Sequence, residues 1–308
     1  MSNSPKKLRQ GDLVALVAPA GKVAREMVDN GLSVLQSWGL KVKIGKHLFD
    51  EYRCYAGTDA DRASDLQTFV NDPEVKAIIC LRGGYGCVRL LEYIDFAPML
   101  HNPKWLVGFS DITVLHVLLN CKLGIESLHA TMPKEFHHEG IADRDEYLRR
   151  KESTESLREA LFGQLKAHEF RPDPLNIRGR ASGRLLGGNL AILQSLAGTY
   201  CDVDCRGAIL FIEDTGESSY RIDRMMMNLV HSGKLAQAAG LLVGDFAEVN
   251  DESDYGKTAR EIVAEHADKF GIPAAYGFPA GHTNPNLALY LGRNITLEVK
   301  ADGVRIEF

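Results

Sequence analysis

Five short strand-like segments in the first 130 residues, at 13–17, 41–44, 77–81, 105–107 and 127–129, the first, third and fourth of them wholly apolar, alternate with stretches carrying apolar residues at three- and four-residue spacing. Strand-length runs separated by helical periodicity predict parallel strands joined by crossover helices, since a parallel pair cannot be closed by a tight turn. Helices are expected over 23–37, 61–69, 88–93 and 112–121, which completes a doubly wound, mostly parallel α/β domain. In such sheets ligands sit beyond the carboxyl ends of the strands, so the segments after Leu81 and Val107 are where function is sought.

The pattern breaks near residue 137, where the chain turns polar and charged, with Arg144-Asp145-Glu146 and Arg149-Arg150-Lys151-Glu152 ahead of an amphipathic stretch. A chain of 308 residues exceeds one average domain. The expected division is an N-terminal α/β domain over 1–150, a linker with one helix over 151–176, and a smaller mixed α/β domain over 177–308. In the last of these, strands are expected at 208–212 and 240–243, helices at 221–231 and 258–269, and a closing hairpin pairing 295–299 with 304–308 across Ala301-Asp302-Gly303.

Composition excludes several classes. Apolar residues make up 45% and charged residues 25%, and the formal net charge is −5, a balance unlike that of a disordered chain and without general attraction for nucleic acid or anionic lipid. No apolar run reaches the roughly 18 residues of a membrane span, and the first residues lack the apolar core of a signal peptide, so a cytoplasmic protein without membrane or nucleic-acid partners is expected. Six cysteines without a C-x-x-C pair are expected to be reduced thiols.

Four segments carry chemistry. Gly108-Phe109-Ser110-Asp111-Ile112-Thr113 follows a strand and opens a helix, the outline of a nucleophile elbow, although Ile112 stands where G-x-S-x-G has its second glycine. The alternative for Ser110 is an N-cap. Arg82-Gly83-Gly84-Tyr85-Gly86 lets the backbone approach a ligand and offer N–H groups to an oxyanion, but it is neither a Walker loop nor a dinucleotide fingerprint. Glu213 and Asp214 end an apolar strand, where a carboxylate can fix the tautomer of a histidine. His282 lies in the proline-bounded Phe278-Pro279-Ala280-Gly281-His282-Thr283-Asn284-Pro285. His137-His138-Glu139, with His129 nearby, lacks H-E-x-x-H, so neither a metal nor any other cofactor is expected.

Taken in order, Arg82–Gly86, Gly108–Asp111, Gly183-Arg184-Leu185-Leu186-Gly187-Gly188-Asn189-Leu190, Phe211–Glu217 with Tyr220-Arg221-Ile222-Asp223-Arg224, and Gly281–Asn284 resemble the LD-carboxypeptidase family across nearly the whole chain. The resemblance implies a catalytic triad of Ser110 as nucleophile, Glu213 as orienting carboxylate and His282 as base. It also implies a cytoplasmic homodimer that removes the terminal D-alanine from murein tetrapeptides in peptidoglycan recycling.

The oxyanion donors expected beside that triad are the backbone N–H group of Asp111 and one from Gly83 or Gly84, with Gly84 preferred. Arg184, Arg221 and Asn189 are candidate substrate contacts, with Arg224 a further guanidinium able to grip a free C-terminus. With the nucleophile in one half and Glu213 and His282 in the other, the active site is expected at the domain interface. Within the family, the competing reading is a carboxypeptidase that inactivates a peptide–nucleotide antibiotic, as microcin C immunity proteins do; no aromatic insertion suited to a nucleobase is evident. Outside it, the alternative is a non-catalytic α/β protein binding an anionic ligand on the Gly83-Gly84 loop.

Overall fold

The computed structural model describes residues 3–249 and 255–308. The elements run β1 (Leu13–Val17), α1 (Arg25–Ser37), β2 (Lys41–Ile44), α2 (Asp59–Asn71), β3 (Val75–Cys80), β4 (Trp105–Gly108), α3 (Thr113–Val117), β5 (Ser127–His129) and α4 (Arg144–Leu161). They continue as β6 (Ala167–Phe170), β7 (Gly179–Asn189), α5 (Leu190–Leu196), β8 (Ile209–Thr215), α6 (Ser219–His231), α7 (Lys234–Gln237), β9 (Gly240–Ala247) and α8 (Ala259–Ala267). The chain closes with β10 (Ala274–Ala275), β11 (Leu289–Leu291), β12 (Asn294–Val299) and β13 (Val304–Glu307). Two compact units result, one through Leu165 with Asn284–Tyr290, the other Lys166–Thr283 with Leu291–Phe308.

The first unit is built on a sheet of order β11-β5-β4-β3-β1-β2, in which β1, β2, β3, β4 and β5 pair in parallel. Val14–Val17 and Ala77–Cys80 are buried, as strands covered on both faces must be. Between them α1 turns Val28 and Leu35 inward, and α2 starts on a capping box in which Thr58 and Asp61 satisfy each other's backbone N–H groups. The order 2-1-3 makes the gap between the ends of β1 and β3 the topological switch point of the sheet.

The second unit holds a mixed sheet of order β10-β9-β8-β7-β12-β13-β6. Its β7-β8-β9-β10 half is parallel, and its β7-β12-β13-β6 half is antiparallel. The expected α/β class with two domains therefore holds, the second sheet being mixed.

Several local expectations change. The helix expected over 88–93 is a single 3₁₀ turn, Cys87–Leu90, and that over 112–121 is a 3₁₀ turn, the short α3 and a π-helical segment, Leu118–Leu123. Strand β7 is glycine- and arginine-rich without the apolar alternation that marks a strand, and its pairing with β8 and β12 is what holds it extended.

The stretch expected as a linker over 151–176 divides differently, with the boundary at Leu165. Helix α4 belongs to the first unit, burying Leu157, Ala160 and Leu161, while β6 joins the second sheet. Its polar sequence hides a docking surface. Ser153 Oγ accepts from Asn286 N at 2.8 Å, Ser156 Oγ accepts from Ala288 N at 3.0 Å, and Tyr290 OH donates to the Ala160 carbonyl at 2.8 Å. The late segment Asn284–Tyr290 is thus returned to the first unit by serines that read, in sequence, as solvent-facing. Ser153→Ala removes the acceptor of a buried N–H and is expected to lower stability by about 1–3 kcal/mol; urea unfolding with an unchanged m-value measures it.

Candidate active site

Strand β4 ends in extended backbone at Phe109, and the next residue, Ser110, has φ +64°. A side chain other than glycine in this left-handed region costs on the order of 1–2 kcal/mol, and such strain collects at functional positions. The following 3₁₀ turn has Phe109 at its cap and no side-chain capping bond, so Ser110 lies within the turn and is not its N-cap. The elbow is held from behind by a buried histidine. His116 Nε2–H donates to the Gly108 carbonyl at 2.9 Å, which leaves Nδ1 to accept from Ser127 Oγ at 2.8 Å. Burial pulls His116 from its ordinary value near 6.5 down to about 4, keeping the ring neutral as these two bonds require.

The glycine loop after β3 lies directly against this serine. A Cβ on Gly83 would stand 2.9 Å from Ser110 Cβ and 3.1 Å from its Oγ, so only glycine fits. The Gly83 carbonyl accepts from Gly21 N at 3.2 Å, joining the loops after β1 and β3 at the switch point.

Both polar groups of the Gly86–Cys87 peptide are also engaged. Arg62 Nη1 donates to the Gly86 carbonyl at 3.1 Å, and Cys87 N–H donates to Asp111 Oδ2 at 2.8 Å. Arg62 is 2% exposed and is anchored in turn by Asp59 and the Pro19 carbonyl. Burial raises the Asp111 carboxyl. The residue after the elbow serine and an arginine from α2 thus fix the exit of the glycine loop, and no sequence motif announces the arginine.

In the second unit β8 delivers Glu213, fully buried, whose Oε2 accepts from His282 Nδ1 at 2.8 Å. Because the carboxylate only accepts, Nδ1 carries the proton and Nε2 is the ring's acceptor. A Cβ on Gly281, at φ +109°, would fall 2.6 Å from Glu213 Oε2, so glycine there is what admits the histidine loop. Asp214 points elsewhere. Its Oδ1 accepts from Asn189 Nδ2 and its Oδ2 from Ala191 N, each at 2.8 Å, while Asn189 Oδ1 caps α5 through Ile192 N at 3.1 Å. Burial and the adjacent Glu213 push Asp214 up to about 6. Of the two neighbouring carboxylates, one meets the histidine and the other holds a helix start.

Residues 14–130 match the N-terminal domain of LD-carboxypeptidases, and residues 182–297 match the C-terminal domain. The chain belongs to the LD-carboxypeptidase family. It is 35% identical to a probable murein peptide carboxypeptidase of Bacillus subtilis over 100% of this chain and 95% of that one. Identity to a murein tetrapeptide carboxypeptidase of Pseudomonas aeruginosa is 32%, over 92% of each. The crystal structure of a muramoyltetrapeptide carboxypeptidase from Oxalobacter formigenes superposes with a TM-score of 0.84 at 29% identity, covering 96% of this chain and 97% of that one. As a member of this family, the protein is a serine-type carboxypeptidase.

Other residues singled out from the sequence have various occupations within this LD-carboxypeptidase. Arg184 Nε donates to the Gly292 carbonyl at 3.2 Å, and Arg221, in the first turn of α6, pairs at 2.9 Å with Glu217 just ahead of that helix. Arg224 stacks over the Tyr220 ring. Asn189 is buried in the cap just described. His129 packs against Phe109, and His137 meets Tyr147 edge-on. A separate group, His47, Asp50 and Asp61, brings possible ligand atoms together, but Asp61 serves the α2 capping box and His47 bonds Asp50 at 2.7 Å.

Because the folded His116 binds its proton more weakly than the unfolded one, its contribution to stability is complete above about pH 6.5 and is lost as pH falls toward 4. The loss amounts to about 3 kcal/mol. Replacing His116 by Gln is expected to flatten the stability profile in that window, as read by urea unfolding at half-unit pH steps.

Proposed function

We propose that this enzyme releases the terminal D-alanine from murein tetrapeptides in the cytoplasm, with Ser110, Glu213 and His282 as its triad. What carries the reading is the buried Glu213 carboxylate on His282 Nδ1, which leaves Nε2 the acceptor a general base needs. The names of the murein peptide carboxypeptidases among its relatives support the substrate class.

In this scheme His282 Nε2 takes the Ser110 proton as Oγ attacks the carbonyl before the terminal D-alanine, and the charge on the imidazolium is balanced by Glu213. The oxyanion is received by the N–H groups of Gly84 and Asp111, whose positions depend on the loop that Arg62 and the Asp111 side chain hold. The imidazolium returns the proton to the leaving amine, and water activated by His282 hydrolyses the acyl-enzyme. The scheme requires Ser110 Oγ and His282 Nε2 to meet within hydrogen-bond reach in the working enzyme. Arg184 and Arg221 are proposed to receive the free carboxylate of the substrate, for which a guanidinium offers a bidentate partner. Serine, backbone donors and histidine suffice for acyl transfer, so no step calls on a metal.

Incubation with a murein tetrapeptide, followed by mass analysis for loss of one alanine, tests the reaction. Ser110→Ala is expected to abolish that loss while keeping a cooperative unfolding transition, and Glu213→Gln to reduce kcat by orders of magnitude. Near-normal turnover by Ser110→Ala would remove the proposed nucleophile.

Arg62→Met removes the donors to the Gly86 carbonyl without changing side-chain length greatly. It is expected to lower kcat at least tenfold with KM within about threefold, as loss of an aligned oxyanion donor costs about 10²–10³ in kcat. Partial recovery in Arg62→Lys, which keeps an ammonium donor, separates this effect from general disruption.

A further inference from the structure

The second residue of the first unit with strained backbone is Arg53, at φ +58°. It sits at the tip of a two-residue hairpin, where Tyr52 and Tyr55 exchange both backbone hydrogen bonds at 3.0 Å. Positive φ at the first central position and not at the second describes a type II′ turn, whose first position favours glycine. Arginine there carries a backbone cost that no packing explains. Arg53 is exposed, its guanidinium lies over the Tyr52 ring at 5.3 Å, and among the described residues it forms no ion pair or hydrogen bond. The other arginines of this neighbourhood, Arg62 and Arg89, both have Asp59 as partner.

The turn is tied to the catalytic loops by short links. Tyr55 forms a β-bridge with Gly21, and Ala56 N donates to the Ala20 carbonyl at 3.1 Å. Gly21 in turn bonds Gly83, the residue that abuts Ser110. Around Arg53 lies a cavity of about 330 Å³ lined by Tyr52, Tyr55, Asp59, Arg89 and Tyr93. Tyr85, from the glycine loop itself, is 52% exposed with its ring 6.0 Å from Tyr55, so the aromatic surface runs from the cavity to the loop.

We propose that Arg53, backed by the Tyr52 ring, binds a carboxylate on the acyl side of the substrate, in a subsite flanking the glycine loop. The assignment rests on the proposed function. A carboxypeptidase releases one residue, so a surface larger than one residue beside the oxyanion loop meets the part of the peptide retained on the enzyme. A planar guanidinium stacked on an aromatic face is preorganised for a carboxylate fork. Murein peptides carry such carboxylates at the second residue and, where the third is a diamino diacid, at the third. Each is changed to a neutral carboxamide by amidation, and Arg53 would make the enzyme discriminate between the two forms.

The test is calorimetric titration of the Ser110→Ala enzyme, which leaves the peptide uncut, with the free-acid tetrapeptide and with the two singly amidated forms. One carboxamide is expected to bind at least tenfold more weakly than the free acid, and which one does so identifies the carboxylate. Adding Arg53→Gln is expected to erase that difference. Arg53→Gly should also erase it while raising the thermal midpoint, since glycine relieves the strained turn.

Equal binding of all three peptides, or discrimination that survives in both Arg53 variants, would overturn the subsite. A lower midpoint in Arg53→Gly would do so as well, by making Arg53 a structural residue. Turnover by otherwise unaltered enzyme is read in parallel. If Ser110→Ala still releases alanine, it is the nucleophile that fails, whereas loss of activity in that variant together with undiminished discrimination in Arg53→Gln refutes the subsite alone.

Discussion

Parallel pairing places the carboxyl ends of β1, β3 and β4 along one edge of the first sheet, and the chemistry of that unit hangs from this edge. Because each parallel strand must be followed by a crossover, three separate loops emerge side by side with no hairpin to tie them. They are tied by polar contacts instead. Gly21 meets Gly83, Gly83 meets Ser110, and Asp111 and Arg62 hold the peptide at Gly86. Glycines make these approaches possible, and buried charges make them specific, since an unpaired charge in such a place would be far costlier than one that is bonded.

The histidines show how burial sorts one residue type into different tasks. His116, enclosed and proton-poor, is a rigid brace with both nitrogens in use. His282 keeps partial exposure and a carboxylate on Nδ1, which leaves Nε2 as the ring's acceptor. The same logic separates Glu213 from Asp214. They are adjacent at the end of β8, where the register against β9 shifts, and one reaches the histidine loop while the other reaches the start of α5.

Backbone strain is confined to a few positions. Among described residues other than glycine, left-handed backbone is found at Ser110, Arg53 and Glu248. At Ser110 it falls where the side chain abuts Gly83, and at Arg53 it falls at the tip of a hairpin where glycine would be easier.

Strand and helix periodicity in the first half was legible because β1, most of β3 and β4 are short apolar runs set between helical stretches, and β1, β2 and β5 lie within the bounds read from the sequence. The motif segments were legible too, since glycines after a strand and a serine before a helix are local signals of local geometry. What sequence could not disclose were contacts between distant segments. The docking of Asn284–Tyr290 on α4 uses serines that look solvent-facing, and β7 is extended only because two partners flank it. Arg62 looks like any charged residue on an amphipathic helix until the fold buries it against Gly86. Composition and short-range pattern therefore determined the class of fold and the chemistry available. Which carboxylate meets the histidine and which arginine fixes the glycine loop were decided by tertiary structure, because burial and long-range hydrogen bonding depend on neighbours that the linear chain does not place together.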